Sequence, residues 1–251
     1  MSLVEATPEL IRSRIDGIPS GIIEVPDPSP KFPNGVLRVD GDTLRTLDML
    51  LVVSGARISE AAANPSGARR NVSASLSLEE DTLDDEPVLL IKRTPLKKKS
   101  APTLEIGVPL NPEYEPFSRP VLDAWRRVRG NPCNLTASQA LAANHLIFTG
   151  IGYRIRPRVI YERSENGKPI RDAAGRKVIK RVVAEHMKPA ANHVIRHIRA
   201  TELRRRFKLT REERTAFFNW STMNLGGSAM QDDYDQVEWI EWFSKLCKRR
   251  T

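Results

Sequence analysis

The chain has 251 residues, enough to bury a substantial core as one large domain or two small ones. Its two cysteines, Cys133 and Cys247, stand far apart without histidine partners at metal-ligand spacing, which argues against a disulfide framework and against a zinc site. No run of eighteen apolar residues exists, and the N-terminal MSLVEATPEL lacks the basic start and apolar core of a signal peptide, so the sequence reads as that of a soluble intracellular protein. Forty basic residues against thirty-one acidic give a net charge of +9, unevenly spread. Residues 151–214 hold 19 Lys or Arg against 7 Asp or Glu, a local +12, and the remainder sums to −3. Such a concentrated positive field favours a polyanionic partner.

In chain order, residues 1–41 read as a Pro-rich arm or linker, with PDPSPKFPNG near its end, after a short helix over 9–15. Residues 42–251 read as an α+β domain, mainly helical, with a small antiparallel sheet and an extra β-hairpin. From Asp42 an apolar helical pattern through Leu44, Leu47, Leu50 and Leu51 runs to Gly55, which breaks the chain just before Arg57. A small-residue loop over 64–73 and an acidic turn, EEDTLDDEP, precede the strand VLLIK. The basic run TPLKKKSAP joins that strand to TLEIGVPL, and the three together predict a hairpin.

Helical patterns follow over 122–128 and 137–148, the second capped by Thr136. RVIYER and KVIKRVV alternate around a loop containing Asn166-Gly167 and Gly175, which predicts a hairpin insertion over 154–185. Helices are expected over 192–207, 210–218 and 232–249. In the last, Val237, Ile240, Phe243 and Leu246 share one side with Trp239 and Trp242 beside them, a face suited to docking on its own core or on a neighbouring subunit.

The segment ANHVIRHIRATEL, residues 191–203, places His193 and Arg196 three apart on one helical face, where both reach the same anionic group. A guanidinium keeps its planar fork of donors charged at any working pH, and an imidazole exchanges a proton near neutrality, so the pair suits a phosphate. SGARISEA resembles the first arginine box of the tyrosine recombinases, the phage-integrase family, usually of the form TGLRISEL, and HVIRHIRATEL resembles the second, HxLRHTxAT. The two boxes stand in the family's order, and the resemblance covers residues 42–236.

That resemblance implies a tyrosine-recombinase-like catalytic domain that cleaves and rejoins double-stranded DNA through a 3′-phosphotyrosyl link, with no metal or other cofactor. Tyr234 would be the nucleophile, and Arg57 and Arg196 would flank the non-bridging phosphate oxygens. His193 would be the proton-transfer partner, and Trp220, in FFNWS, matches the position that the family fills with His or Trp. Lys97, in TPLKKK, is favoured as the general acid, with Lys92 second. Glu60, one turn after Arg57, would fix that arginine, and His197 and Thr201 would support the helix. Lys92, Lys98, Lys99, Arg154, Arg156, Arg158 and Arg199 are expected on the DNA backbone.

Departures from the family pattern carry expectations of their own. Trp220 and Tyr234 are fourteen positions apart, longer than the family's usual spacing, with Gly226-Gly227 between them. A flexible tether is expected there, able to swing the tyrosine or deliver it to a neighbouring subunit. Asn219 stands where the family usually has Gly. The lysine segment and Trp220 are worded as in archaeal or archaeal-virus members. Family members commonly carry a helical DNA-clamping domain ahead of the catalytic one. Here a Pro-rich stretch precedes it, so a minimal enzyme or catalytic fragment is expected, with salt-sensitive binding unless subunits or the hairpin over 158–183 substitute. Self-association as a dimer or tetramer on DNA and a cytoplasmic, nucleoid-associated location accompany the resemblance. Two other functions suit the same residues: a telomere-resolving or strand-passing enzyme, and a non-catalytic DNA-binding protein on the same fold.

Overall fold

A computed structural model describes residues 3–27, 35–63, 76–93, 103–155, 157–165, 168–218 and 238–248. The chain begins with strand β1 (Val4–Glu5), helix α1 (Pro8–Asp16) and the antiparallel pair β2 (Ile22–Pro26) and β3 (Val36–Asp40). Helix α2 (Gly41–Ser54) leads to the single turn α3 (Ile58–Ala61). Strands β4 (Leu76–Leu83), β5 (Glu86–Arg93) and β6 (Leu104–Pro109) form an antiparallel sheet in that order, followed by helices α4 (Ser118–Arg127) and α5 (Ala137–Ile147). Strands β7 (Ile151–Ile155), β8 (Arg158–Tyr161), β9 (Ile179–Val183) and β10 (His186–Pro189) precede helices α6 (Asn192–Arg205), α7 (Arg211–Phe218) and α8 (Trp239–Leu246).

The fold is mixed α+β, with eight helices and small sheets among the described residues. It divides into a smaller unit, residues 1–6 with 149–190, and a larger one, residues 7–148 with 191–251. In the smaller unit β7 lies between β1, parallel to it, and β10, antiparallel to it, while β8 and β9 pair as a separate ribbon. Among the described residues no helix is long and apolar enough to cross a membrane.

Helix boundaries follow from local chemistry. Thr7 accepts from the Leu10 amide with Pro8 as the first helical residue of α1, and Asp40 accepts from the Thr43 amide at 2.9 Å to start α2. Thr136 and Gln139 form a reciprocal capping box at α5, as the capping residue in the sequence predicts. Helix α2 ends on Gly55 with φ +58°, a left-handed conformation that costs a side-chain-bearing residue free energy.

The N-terminal stretch departs from the expected arm. Ile11, Ile15, Ile18, Val25 and Val39 are buried, so α1, β2 and β3 belong to the core of the larger unit. Proline does not interrupt these elements, because Pro8 and Pro26 sit at an element's start and end, where a missing N–H is tolerated. Residues 28–34 lie outside the described residues.

The acidic stretch is also more than a turn. Residues Leu76–Leu83 pair with β5 along their length, and the turn is only Asp84-Asp85, both at positive φ as a two-residue hairpin loop requires. The charged residues lie on the outer strand of the sheet, where they discourage edge-to-edge association. The basic turn expected between β5 and β6 lies outside the described residues, while the pairing of the two strands is antiparallel as the pattern predicts.

Helix α8 docks on its own chain. Trp242, Phe243 and Leu246 are buried, and the Trp239 ring covers β6 at Gly107, where a Cβ would collide with it. Phe217 of α7 meets Trp242 with ring centroids 5.5 Å apart. Ile240, expected on the docking side, is half exposed, and Val237 lies outside the described residues.

Two buried polar groups join distant elements of the larger unit. The Arg12 guanidinium of α1 bonds Glu115 and Glu202, both at 3.1 Å, and Arg199 bonds the same two carboxylates at 2.9 and 2.7 Å. Phe117 lies under Arg12, and Phe207 and Phe217 lie against Arg199. The two positive and two negative charges balance, so none is left uncompensated by burial. Glu202→Ala leaves two buried guanidiniums on one carboxylate and is expected to destabilise the protein by about 3–5 kcal/mol, measured by urea unfolding.

Asp48 of α2 is wholly buried and accepts one bond, at 2.9 Å, from the Asn144 side-chain amide of α5, which also donates to Asn192 at 2.7 Å. Among the described residues Asp48 Oδ2 and Asn144 Oδ1 have no hydrogen-bond partner. Burial, opposed by the Asn144 bond, pushes the Asp48 carboxyl up to about 7. The fold therefore holds a proton that the unfolded chain releases near the ordinary carboxylate value. That contribution is fully present below pH 4 and disappears as pH rises to 7. Asp48→Asn removes the dependence, so the stability of the variant relative to wild type is expected to rise by up to about 4 kcal/mol between pH 4 and pH 8, measured by denaturant titration.

Candidate active site

Two arginines from separate parts of the larger unit bond one carboxylate, Glu60, and a third, Arg196, lies near enough to feel its charge. Arg57 occupies the cap of α3; its backbone N–H donates to Glu60 Oε2 at 2.9 Å and its Nη1 donates to Oε1 at 2.8 Å. Arg93, the last residue of β5, donates to Glu60 Oε2 at 3.4 Å and to the Phe217 carbonyl at 3.1 Å. Arg196 of α6 donates to the Gly55 carbonyl and, at 2.9 Å, to that of Phe218, and its guanidinium lies 4.7 Å from the Phe218 ring centroid. The two arginine boxes thus meet through a bond spanning 141 residues.

Gly55 is the hinge of this arrangement. Its left-handed turn ends α2 and presents its carbonyl to Arg196, while a Cβ at this position would collide with the rings of Phe217 and Phe218. Glycine is required here by both conformation and space.

The electrostatics are unbalanced. Burial would raise the Glu60 carboxyl, yet the Arg93 charge and the bonds from Arg57 outweigh it and hold the group below the usual range. Arg196 is pushed down to about 9 by burial and by the Arg57 and Arg93 charges, with Glu60 opposing. Arg93 falls to about 10, chiefly through burial, with Glu60 opposing and Arg57 adding. Among the described residues, three guanidiniums against one carboxylate leave the cluster with a formal surplus of two positive charges. Arg57, with its side chain 35% exposed, is the member most open to solvent.

His193 is exposed in the first turn of α6, directly after Asn192. His197 is exposed one turn later; partial desolvation first, then the charges of His193 and Arg204, hold its imidazole below the ordinary value. The Thr201 hydroxyl donates to the His197 carbonyl at 3.1 Å, in keeping with a role in the helix. Tyr234, Lys97, Lys98, Lys99, Trp220 and Arg156 lie outside the described residues, as does the Gly226-Gly227 tether.

Four further expected residues meet specific geometry. Arg199 is buried within the ionic quartet, so its guanidinium does not face a DNA backbone; the pattern of α6 places it one turn from Arg196 but inward. Lys92 pairs with Glu79 at 3.2 Å and Glu105 at 3.9 Å across the sheet, on the face opposite Arg93, because neighbouring residues of a strand point to opposite faces. Arg154 is exposed and pairs with Glu5 and Glu185 inside the smaller unit, and Arg158 is exposed.

Arg93 is the member of the cluster that the motifs did not reveal. Its signal was the parity of β5, which puts residue 93 on the same face as buried Leu89 and Ile91. Among the described residues no group of His, Cys, Asp or Glu side chains could hold a metal ion. Comparison of the chain with protein-family models, with curated proteins and with solved structures found no match.

Glu60→Gln removes the one carboxylate among three guanidiniums and is expected to destabilise the protein by about 3–5 kcal/mol. Sulfate should recover more stability in this variant than in wild type, measured as the rise in Tm against chloride at matched ionic strength.

Proposed function

We propose that the chain is a tyrosine-type DNA recombinase or integrase and that its larger unit is the catalytic domain. The observation that carries this reading is the positive surplus around Glu60, where among the described residues Arg196 is buried without a carboxylate of its own. Buried charges are ordinarily paired, and the companion quartet is balanced, so among the described residues the cluster is short of an anion. A phosphodiester brings one negative charge in its ground state and more on its non-bridging oxygens in the transition state, which suits fixed guanidiniums.

In this mechanism the Tyr234 phenol oxygen attacks phosphorus and loses its proton, with His193 as the transfer partner. The bond from phosphorus to the 5′-oxygen breaks, and that oxygen leaves as a hydroxyl after taking a proton from a general acid, for which Lys97 is the first choice. The product is a 3′-phosphotyrosyl link that preserves the energy of the broken ester, and attack by another 5′-hydroxyl reverses the step. Arg57 and Arg196 bind the non-bridging oxygens, and Glu60 and Arg93 keep Arg57 in place. The partner is double-stranded DNA, bound by several subunits in the cell's nucleoid compartment. The chemistry assigned to these residues does not call for a metal.

A second reading, a non-catalytic DNA-binding protein on the same fold, draws on the use of Arg196 as a brace between the Gly55 and Phe218 carbonyls. A guanidinium has five N–H donors, so two such bonds leave three for a phosphate. A nicked suicide DNA substrate in EDTA separates the readings. A covalent protein–DNA band is expected with wild type and none with Tyr234→Phe, while Arg196→Ala slows its formation by about 10²–10³-fold. DNA bound without any covalent band would establish the non-catalytic reading.

A further inference from the structure

The smaller unit holds a folded element without a core. From residue 157 to residue 189 no described residue is buried, yet β8 and β9 are paired and the loop between them is ordered by side chains. Asp172 accepts from the amides of Ala174 and Arg176, both at 2.9 Å, and Gly175 takes φ +75°. Lys177 lies over the Tyr161 ring, 5.4 Å from its centroid. A two-stranded ribbon with both faces in water gains little from burial, so its sequence reflects what it meets.

The pairing register sorts its side chains. Arg158 stands opposite Val183 and Ile160 opposite Arg181, on one face. Val159 opposite Val182 and Tyr161 opposite Ile179 make the other, with 37–66% of each side chain's residue exposed. Residues 158–183 carry eight basic residues against three acidic. The salt bridges of this unit use Arg154 and Arg176, so among the described residues Arg158, Lys180 and Arg181 enter none.

We propose that this ribbon is a DNA-binding arm whose Arg158–Arg181 face enters the major groove of a duplex. Strands about 4.8 Å apart fit a groove about 12 Å wide. Arginine is the side chain that bonds both guanine edges and phosphates as a fork. Charge selects the occupant: the same ribbon of a second copy would bring like charge against like, whereas a duplex supplies a dense line of phosphates. The choice of DNA as the polyanion rests on the proposed function, while the charge and the register stand apart from the arginine cluster.

The test is equilibrium binding of an unnicked duplex, in a Tyr234→Phe background, across a series of salt concentrations. Arg158→Ala with Arg181→Ala is expected to weaken binding about tenfold or more and to lower the steepness of the salt dependence by about 2. Val159→Ser with Val182→Ser, on the opposite face, should leave both unchanged. Melting curves of both variants should match the parent, since all four residues are solvent-facing. Unaltered affinity and salt dependence in the arginine variant would overturn the arm. So would loss confined to the valine variant, which would place the duplex on the opposite face of the ribbon. If arm-dependent binding persists while the wild type forms no covalent band, the arm stands and strand cleavage falls. If the band forms and the arginine variant binds normally, the reverse holds.

Discussion

Among the described residues Arg196 sits in the interior without a carboxylate of its own, and the ends of α2 and α7 meet on its guanidinium. Helix α6 offers a comparison within itself, because Arg199 follows one turn later and is buried to a similar degree. Arg199 is neutralised by Glu115 and Glu202, with Arg12 completing a balanced quartet. Among the described residues Arg196 is held by carbonyl dipoles and an aromatic face, and its neighbours Arg57 and Arg93 add to the positive potential. A fold that needed Arg196 only for cohesion would gain by pairing or neutralising it. Leaving it without a carboxylate among the described residues, while pairing its neighbour one turn later, is consistent with a site that receives an anion.

The legibility of this architecture in the sequence tracked how local each cause is. The caps at Thr7, Asp40 and Thr136 act over three residues, and the elements they start lie close to where the patterns place them. Gly55 was readable as a break, and the structure gives it a second reason, the rings packed against it, which no local pattern contains. Arg93 was hidden because it has no motif: its parity on β5 puts it on the face of Leu89 and Ile91, and the adjoining Lys92 draws attention by charge while facing away. The N-terminal stretch misled because its proline content outweighed five isoleucines and valines spaced for burial. Arg199 misled for a different reason. Residue type alone does not separate a basic side chain that meets carboxylates inside from one that meets phosphate outside.

Positive charge in this molecule serves two separate physical purposes. The smaller unit holds eleven basic residues against five acidic in fewer than fifty positions, all the described basic ones exposed, so its charge acts through solvent and is subject to screening. The arginine cluster of the larger unit is few in number but partly withdrawn from water, where each charge acts at short range and salt screens it weakly. A polyanion attracted by the first kind of charge and a single phosphate held by the second would respond differently to ionic strength. Association would weaken steeply with salt, while stabilisation of a bound phosphate would change little.

Helix α6 also explains how such a cluster could be kept in register. Its first residue, Asn192, is tied through Asn144 to buried Asp48; Arg196 is tied to Gly55 and Phe218; Arg199 and Glu202 are tied to Glu115 and Arg12. Successive turns are thus bonded to α5, to the end of α2, to the end of α7, to the segment before α4 and to α1. A helix restrained at every turn has little freedom to slide or rotate, so the guanidinium of Arg196 reaches its place without paying an ordering cost when an anion arrives. His193 gains from the same restraint. It is exposed and stands between Asn192 and Arg196, both fixed.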